Sequence, residues 1–427
     1  MRAIALLIVT VFVLATSVVD GRNSEASELI DPPEGHPQEN FGEAIAISRN
    51  GNVLAVGAPD GLVAEIRSGV VDVFERNDGG AWRHVTRLSP VQRTENASFG
   101  SSVALSNSGD VLAIGAFAED DLAGAAYVFS RAGDGWRQIA RLTGSSARTR
   151  GDHFGWSVAL SADGTRLAVG ADGAAGDAGA VHLFERSEDT WSRSAVISPP
   201  PDRYSHRAFG RSVALSSSGS ALAVGAPGDS AAGPLAGAVH LYVLQAHGPV
   251  PVTKLHSPTP RSHAWFGQSV AVSADGRTVI VGAPGDEERG QRTGAAYAFT
   301  ADENGVWKSA RLPAGTARMG DMFGWAVALS PDGSRAIIGA PEADDAGRSA
   351  GKVSVLEKVG SGWKFAGAIS GSKSGYRAGR SVAASGRRVL IGAPGAGVHG
   401  FYSGAVTEDL FDHALSMVTD ASTPKVR

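Results

Sequence analysis

The amino-acid sequence predicts an all-β protein, a seven-bladed β-propeller whose blades are four-stranded antiparallel sheets. Three observations predict it: a Phe-Gly dipeptide recurs every 55 to 58 residues, each interval contains four short β-rich segments, and tight turns join the first two segments. Small sheets repeated around an axis form a propeller. The seven repeats are predicted over residues 41–419, followed by a tail at 420–427. A stack of separate sandwiches is disfavoured because no linker-like break separates the units.

The first 21 residues have the features of a signal peptide. Arg2 supplies a positive charge, segment 4–19 is apolar with few interruptions, and small residues allow cleavage after Ser17 or after Gly21. An uncleaved signal anchor is the alternative, but the apolar segment is short for a membrane span. Residues 22–40 form a polar leader. We expect a secreted protein with no membrane span after cleavage.

The composition excludes several classes of site. Lys and Arg number 39 against 43 Asp and Glu, so no excess of positive charge favours nucleic acid or an anionic membrane. The absence of Cys excludes disulfides, thiolate metal sites, a lipoprotein anchor and a cysteine nucleophile. The sequence contains no phosphate-binding loop and no convincing nucleophile elbow. We therefore predict that the protein has no cofactor and is not an enzyme.

Each repeat begins with Phe-Gly and continues through the four β-rich segments. In the third unit the first three segments are 156–161, 167–171 and 179–184, and a Trp with an apolar run, such as 136–142, closes a unit. The seventh unit lacks the aromatic residue and begins at Ala378. A large apolar residue at a fixed phase predicts a ring that is buried between blades. The six phenylalanines are Phe41, Phe99, Phe154, Phe209, Phe266 and Phe323.

The turn residues indicate how the segments pair. Asn-Gly, Asp-Gly or Ser-Gly joins the first two segments in six units, and Gly adopts a positive φ without steric cost, so these segments form antiparallel hairpins. The second segment ends in Gly-Ala-Pro in five units, because Pro cannot donate to the next strand. We expect the tryptophans that open the fourth segments to cover the end of the outer strand pair. They are Trp82, Trp136, Trp191, Trp307 and Trp363.

The recurring Phe-Gly, Ser-Val-Ala and Val-Gly-Ala-Pro sequences, from Phe41 to about Phe411, resemble the FG-GAP repeats of integrin α-subunit propellers. The resemblance implies a seven-bladed propeller and a surface used for adhesion or protein recognition. Members of this family often carry a calcium loop, Asp-x-Asp-x-Asp-Gly-x-x-Asp, between the first two strands. Here turns 161–164, 273–276 and 330–333 contain one carboxylate each, whereas calcium requires six to eight oxygen ligands. We predict no metal site.

Acidic residues cluster in the loops that follow the second strands. In a propeller these loops and the loops before Phe-Gly lie on the same rim, and loops on a rigid scaffold often carry binding function. The alternative interpretation is a solvated acidic surface. The candidate ligand-binding residues are Asp120, Asp121, Asp172, Asp177, Asp229, Asp286, Glu287, Asp344 and Asp345.

The sequence thus favours a secreted, non-enzymatic protein-recognition or adhesion-type module that binds another protein or a cell-surface glycan through its rim loops. Two alternatives remain open: an extracellular enzyme with an active site at the propeller mouth, and a structural coat or matrix protein. The first would require unrepeated polar residues that converge on the axis. The first segments, which are dominated by Ser, Val, Ala and Leu, give no sign of such residues. The sequence does not indicate the ligand or the oligomeric state.

Three other motifs have simple structural interpretations. The Arg-Gly-Asp tripeptide at Arg150 is a known integrin ligand, but Gly-Asp before Phe-Gly recurs in the sixth unit and belongs to the repeat. Asn96 begins a glycosylation sequon, which matters only if the source is a eukaryote. His182 and His240 fall at equivalent strand positions where other units have Tyr, which predicts half-buried packing sites rather than metal ligands.

Two segments could supply the fourth strand of the last blade. Leu29 and Ile30 precede Phe41 by about a dozen residues, as fourth segments do in the internal units, whereas run 414–418 follows the third segment of the seventh unit. We expect the C-terminal run to be the main fourth strand, with Leu29 and Ile30 beside it, because two prolines curtail the N-terminal run.

Overall fold

The structure, a computed structural model, describes residues 28–33, 36–133, 135–144, 150–188, 190–200, 207–397 and 402–410. It contains seven four-stranded antiparallel sheets, and the first strand of each sheet contacts the first strands of the two neighbouring sheets. The sheets therefore form a closed ring around an axis lined by the first strands, which confirms the predicted seven-bladed β-propeller. The signal peptide and the C-terminal tail lie outside the described residues. Within the described ranges, no helix is long and apolar enough to span a membrane.

The strands of the first four blades follow the predicted order. Strand β1 (Glu28–Ile30) precedes the first blade, which contains β2 (Ala44–Ile47), β3 (Val53–Ala58), β6 (Val70–Arg76) and β7 (Trp82–Leu88), with the hairpin β4 (Leu62–Val63) and β5 (Ile66–Arg67) inserted after β3. The second blade contains β8 (Ser102–Leu105), β9 (Val111–Ala116), β10 (Ala125–Ala132) and β11 (Gly135–Leu142). The third contains β12 (Phe154–Leu160), β13 (Arg166–Ala171), β14 (Ala180–Ser187) and β15 (Thr190–Ile197). The fourth contains β16 (Ser212–Leu215), β17 (Ala221–Ala226), β18 (Ala238–Gln245) and β19 (Gly248–Leu255).

The remaining three blades continue the same pattern. The fifth blade contains β20 (Ser269–Val272), β21 (Thr278–Ala283), β22 (Ala295–Ala301) and β23 (Trp307–Arg311). The sixth contains β24 (Val327–Leu329), β25 (Arg335–Ala340), β26 (Lys352–Val359) and β27 (Gly362–Ser370). The seventh contains β28 (Ser381–Ser385), β29 (Arg388–Ala393) and β30 (Ala405–Leu410). Two short helical turns lie in loops: α1 (Glu119–Leu122) and α2 (Ala174–Asp177).

A buried serine holds the turn between the first two strands of a blade. In the third blade, the Ser161 hydroxyl donates to Asp163 Oδ1 at 2.6 Å and accepts the backbone N–H of Arg166 at 2.9 Å. Gly164 follows with φ +68°, the left-handed conformation that the turn requires. The same N–H to hydroxyl bond recurs in five other blades, and the accepting residues there are Ser48, Ser106, Ser216, Ser273 and Ser330.

The repeat phenylalanines fill the spaces between blades, as predicted. Phe154 packs against Val111 and Val128 of the second blade and Val169 of the third, and its backbone bridges to Gly124. All six rings are at most 1% exposed, so burial between blades is confirmed for Phe41, Phe99, Phe154, Phe209, Phe266 and Phe323. In the seventh unit, where Ala378 replaces Phe, the ring of Tyr376 packs against the same kind of cluster.

The glycine of Gly-Ala-Pro and the serine of Ser-Val-Ala bring neighbouring blades together. A Cβ on Gly115 would lie 1.9 Å from the carbonyl oxygen of Gly155 in the next blade, so only glycine fits there. That same carbonyl accepts the Ser102 hydroxyl at 2.9 Å. Four further blade junctions have the same bond, donated by Ser157, Ser212, Ser269 and Ser381. Small residues near the axis therefore permit contact between backbones and also supply a specific interblade hydrogen bond.

The last blade is closed by the N-terminal strand, contrary to our expectation. Strand β1 pairs directly with β30, with Leu29 opposite Thr407 and Ile30 opposite Val406. Ile30 is 4% exposed and belongs to the core between the seventh and first blades. The two prolines shorten β1 to three residues but do not prevent pairing, because they lie after its last paired residue. The run 414–418 lies outside the described residues.

An ion-pair network strengthens this closure. Glu408 on β30 contacts the guanidinium of Arg76 on the first blade and accepts the Trp82 indole N–H at 3.0 Å. Arg388 donates to the same carboxylate at 2.9 Å. Glu28 on β1 accepts the backbone N–H of Trp82 at 3.2 Å. Both chain ends of the propeller are thus joined to the first blade.

Candidate functional site

The two ends of the central channel differ. At one end the turns between first and second strands are linked from blade to blade by backbone hydrogen bonds of 2.8 to 3.2 Å, and they border a cavity of about 150 Å³. At the other end lies a larger cleft of about 480 Å³. We call this second end the mouth face; it comprises the loops after second strands, the loops before the Phe-Gly dipeptides and the residues after the dipeptides. The linked turn residues at the first end are Arg49, Asn107, Ala162, Ser217 and Ala274.

The residue that follows each Phe-Gly, or the Ala-Gly of the seventh unit, lies next to the axis, because it leads into a first strand. Its identity differs from blade to blade although the dipeptide repeats. Unrepeated polar and aromatic residues therefore stand directly before the first strands, and our expectation about the axis did not take them into account. It considered the strands and not the residues before them. These positions, in blade order, hold Glu43, Ser101, Trp156, Arg211, Gln268, Trp325 and Arg380.

Phe117, His153, Trp156, Asp172 and Arg211 form one cluster on the mouth face between the second and fourth blades, here called the Trp156 cluster. The ring centroids of Phe117 and Trp156 are 4.4 Å apart, and the guanidinium carbon of Arg211 lies 4.0 Å from the Trp156 centroid. Asp172 Oδ1 lies 3.0 Å from His153 Nδ1, and Asp172 Oδ2 accepts Arg211 Nη1 at 3.0 Å. Each side chain is thus fixed by at least one neighbour.

Local departures from the repeat produce this cluster. Phe117 and Asp172 stand where five other units have the proline of Gly-Ala-Pro. His153 immediately precedes Phe-Gly and has φ +54°, a left-handed conformation that is uncommon outside glycine. Every unit has a non-glycine residue with positive φ at this position. These residues are Asn40, Ser98, His153, Ala208, Trp265, Met322 and Arg377.

A second pair of the same kind joins the sixth and seventh blades, and it contacts the first blade through Glu43. The guanidinium carbon of Arg380 is 4.5 Å from the centroid of Trp325. Glu43 Oε1 accepts two hydrogen bonds from Arg380, from Nε at 2.9 Å and from Nη2 at 2.7 Å. Arg380 and Glu43 line the 480 Å³ cleft together with Phe117, Tyr402 and Asp60. The cleft therefore extends from this pair to the Trp156 cluster.

Most of the predicted acidic residues are paired with cations. Three of the bases come from fourth strands, two from loops before Phe-Gly, and Arg211 directly follows Phe-Gly; the sequence argument considered none of these positions. The pairs are Asp120–Arg141 (3.0 Å), Asp121–Arg150 (3.5 Å), Asp172–Arg211 (3.0 Å), Asp229–Lys254 (2.8 Å), Asp286–Arg311 (3.2 Å) and Asp345–Arg318 (3.2 Å). The rim is therefore largely neutralised, although a binding role for its acids stays a prediction.

The other three predicted residues have different surroundings. Glu287 is exposed on the rim. Asp344 accepts the backbone N–H of Ser349 at 2.7 Å, which fixes its own loop. Asp177 ends a helical turn, and its backbone carbonyl accepts the N–H of Arg207 at 2.9 Å. The structure brings Asp172 into the Trp156 cluster and distributes the other predicted residues around the ring.

A buried polar layer lies beneath the rim and repeats between blades. In the fifth blade, Tyr297 donates to Asp286 at 3.1 Å and Arg311 donates to the same carboxylate at 3.2 Å. Burial raises the pKa of Tyr297 to about 12. The second blade repeats the arrangement with Tyr127 and Glu119, whose hydrogen bond is 2.7 Å long. In these blades an acid in the loop after the second strand pairs with a base on the fourth strand. An alignment of the units would have revealed this pairing in the sequence.

His182 and His240 occupy the same position in the third and fourth blades, and they are packing residues as predicted. Their rings lie 5.1 and 5.3 Å from those of Phe154 and Phe209. They are 7% and 5% exposed, so they are more deeply buried than the predicted half. Burial lowers the pKa of each imidazole to about 4.

The turn aspartates Asp163, Asp275 and Asp332 are each used by their own turn. Partial burial by itself would raise the pKa of Asp163. The hydrogen bonds that Asp163 accepts from Ser161 and Thr165 outweigh this effect and lower its pKa. Across the described ranges, no group of three or more His, Cys, Asp or Glu residues is placed to hold a metal ion. The absence of a metal stays a prediction.

Two sequence motifs lie in loops before Phe-Gly. The Arg150 side chain is 79% exposed and lies 3.5 Å from Asp121. Asn96 is exposed, and its backbone N–H donates to the Arg67 carbonyl at 2.6 Å. Both residues are therefore on the mouth face, and their predicted roles stay predictions.

The family model for the FG-GAP repeat matches five segments of the chain: residues 82–129, 136–184, 191–242, 250–299 and 307–356. Each match runs from the fourth strand of one blade through the third strand of the next, so the sequence repeat is offset by one strand from the structural blade. No curated protein matches the chain. The matched segments together cover more than half of the sequence. The chain belongs to the FG-GAP repeat family, and its propeller resembles the N-terminal domain of integrin α-subunits.

Proposed function

We propose that this chain is a secreted, non-enzymatic recognition module of the adhesion type, which binds a protein partner through its mouth face. The observation that carries the proposal is the Trp156 cluster beside the 480 Å³ cleft. Trp, Tyr and Arg are the residues that most often dominate binding energy at protein interfaces. Here they interrupt a repeat that is otherwise regular. Secretion is supported by the apolar N-terminal segment with its preceding positive charge.

The non-enzymatic part is supported by the surroundings of His153. A histidine oriented by a carboxylate is the arrangement of a general base, and a nucleophilic site adds a hydroxyl or thiol at the other ring nitrogen. Within the described part of the chain, the hydrogen-bond partner of the His153 ring is Asp172. Asp172 is in turn engaged by Arg211. These contacts position side chains for binding without adding a nucleophile.

A site-specific crosslinking experiment tests the proposal. A photo-reactive amino acid is placed at Phe117, which lines the cleft, and at Val359, which is 61% exposed at the opposite end of the propeller. We expect a discrete partner to crosslink from position 117 and not from position 359, and excess unlabelled protein to compete. With the purified partner, Trp156→Ala should weaken binding at least about tenfold. Equal crosslinking from both positions would contradict a mouth-face site.

The two alternative functions predict different outcomes of simple measurements. A structural coat or matrix protein should form large assemblies, so the purified chain would elute far above 43.7 kDa in light-scattering chromatography. An enzyme that depends on His153 should release a product that disappears in His153→Gln. We expect neither result.

A further inference from the structure

Two arginines on the mouth face lie over tryptophan rings in the same way. The guanidinium carbon of Arg211 is 4.0 Å from the centroid of Trp156, and that of Arg380 is 4.5 Å from the centroid of Trp325. In both pairs the Trp follows the dipeptide that begins one blade, and the Arg follows the dipeptide that begins the next. Stacking fixes the plane of a guanidinium group and leaves its N–H edges available for hydrogen bonds.

Each guanidinium has one edge occupied and one edge open. Asp172 accepts from Nη1 of Arg211, and Glu43 accepts from Nε and Nη2 of Arg380. Among the residues that the structure describes, Nε and Nη2 of Arg211 and Nη1 of Arg380 have no hydrogen-bond partner. The two side chains are 28% and 33% exposed, so a ligand can reach them. Arg211 therefore presents the edge on which a carboxylate can accept two parallel hydrogen bonds.

We infer that these two arginines are the places where the mouth face receives carboxylate side chains of an acidic segment of the partner. This inference rests on the proposed function and specifies the chemistry of the partner. Guanidinium groups only donate hydrogen bonds, so the open edges select an acceptor. Arg211 is the principal site because its Nε and Nη2 share an edge that no described residue occupies, whereas Glu43 occupies the equivalent edge of Arg380.

The charges around the cleft favour an acidic partner. Most of the rim acids that would repel a carboxylate are already paired with bases, as Asp121 is with Arg150 and Asp345 with Arg318. A cationic side chain would approach the open donors of two arginines and would be repelled. The aromatic rings beneath the guanidinium groups also exclude water from one side, which strengthens a charge-assisted hydrogen bond.

The test uses the intact protein labelled with ¹⁵N in arginine, and it follows the Nε–Hε signals of Arg211 and Arg380 by NMR. The probes are two nonapeptides that differ only in a central Asp-Gly-Glu or Asn-Gly-Gln. At low ionic strength we expect the acidic peptide to shift the Arg211 signal saturably and the Arg380 signal less. The amide peptide should shift neither signal.

Variants then separate charge from geometry. Arg211→Lys keeps the positive charge but loses the planar edge of the guanidinium group. It should weaken binding of the acidic peptide at least about tenfold. The matched control is Arg83→Lys on an outer strand, where the Arg83 side chain is 63% exposed and lies 3.8 Å from Glu75. It should leave binding unchanged. The measurement on the wild type needs no variant, so a folding defect in Arg211→Lys does not remove the test.

Three outcomes would overturn the inference. They are an Arg211 signal that stays unchanged at about 20 mM acidic peptide, well beyond a millimolar dissociation constant; equal shifts with the amide peptide; and a sulfated disaccharide that shifts the signal at a lower concentration than the peptide. The last would assign the site to an acidic glycan. A partner that crosslinks from position 117 while the acidic peptide fails would leave the proposed function intact and remove only this inference.

Discussion

The two buried histidines should make the stability of the propeller depend steeply on pH. Burial lowers the pKa of His182 and His240 from 6.5 to about 4. Between these two values the unfolded chain binds a proton at each site and the folded chain does not, so the free energy of unfolding falls as the pH falls through this window. A lowering of this size corresponds to about 3 kcal/mol for each histidine once the pH is below 4.

The assay is urea unfolding of the wild type and of the double variant His182→Phe, His240→Tyr at pH 7 and at pH 4.5. Phe is chosen for the third blade because it needs no hydrogen-bond partner. In that blade Ala174 and Val196 stand in place of the acid and the base of the polar layer. Tyr matches Tyr297 in the fifth blade, where Asp286 accepts from both the hydroxyl and Arg311, and Asp229 with Lys254 stands at the equivalent positions of the fourth blade. Carboxylate titration affects both proteins, so the difference between them isolates the histidines. The double variant should lose about 5 kcal/mol less than the wild type. Equal losses, with the exposed His263→Gln variant as a control, would refute the reasoning.

Three further predictions concern packing, calcium and ring closure. Phe154→Ala should lower the free energy of unfolding by about 3–5 kcal/mol in denaturant titration, because the ring is fully buried between two blades; a loss below about 1 kcal/mol would contradict this packing. Millimolar calcium should leave the melting temperature of the wild type unchanged, because Asp163 and its equivalents are used within their own turns; a rise of many degrees would disprove it. Deletion of residues 22–30 should lower the melting temperature more than deletion of 411–427, because β1 completes the last blade; the opposite ranking would show that the C-terminal run is the clasp.

Features that repeat were predictable from the sequence. Recurrence of Phe154 and its equivalents indicated a buried position, and the Asp-Gly turns indicated hairpins. Because the seven units can be aligned, a strand that is ambiguous in one unit can be assigned from the others. The number of blades and the order of strands could therefore be predicted. The offset of the repeat against the blade was visible in the same alignment, since Trp82 opens a fourth strand before the second Phe-Gly.

Features that occur once were missed. The Trp156 cluster depends on Phe117 and Asp172, which each depart from the repeat in a single unit. A search for repeated residues ignores such departures. The pairing of rim acids with bases was also missed although it recurs, because it depends on contacts between separate segments of one unit, as between Asp229 and Lys254, which are 25 residues apart. The strand that closes the ring was predicted wrongly because the two terminal segments were compared only by length and proline content. The deciding factor is the burial of Ile30 in the core between two blades.

The pairing of β1 with β30 places the first and the last of the described strands in one sheet. During synthesis β1 leaves the ribosome before the other described strands, yet its partner emerges after all of them. The internal blades can form in order behind it, while the ring stays open until β30 has emerged. Closing so long a loop is slow compared with forming a hairpin. Ring closure is therefore the step at which folding of this protein is most exposed to a premature stop in translation.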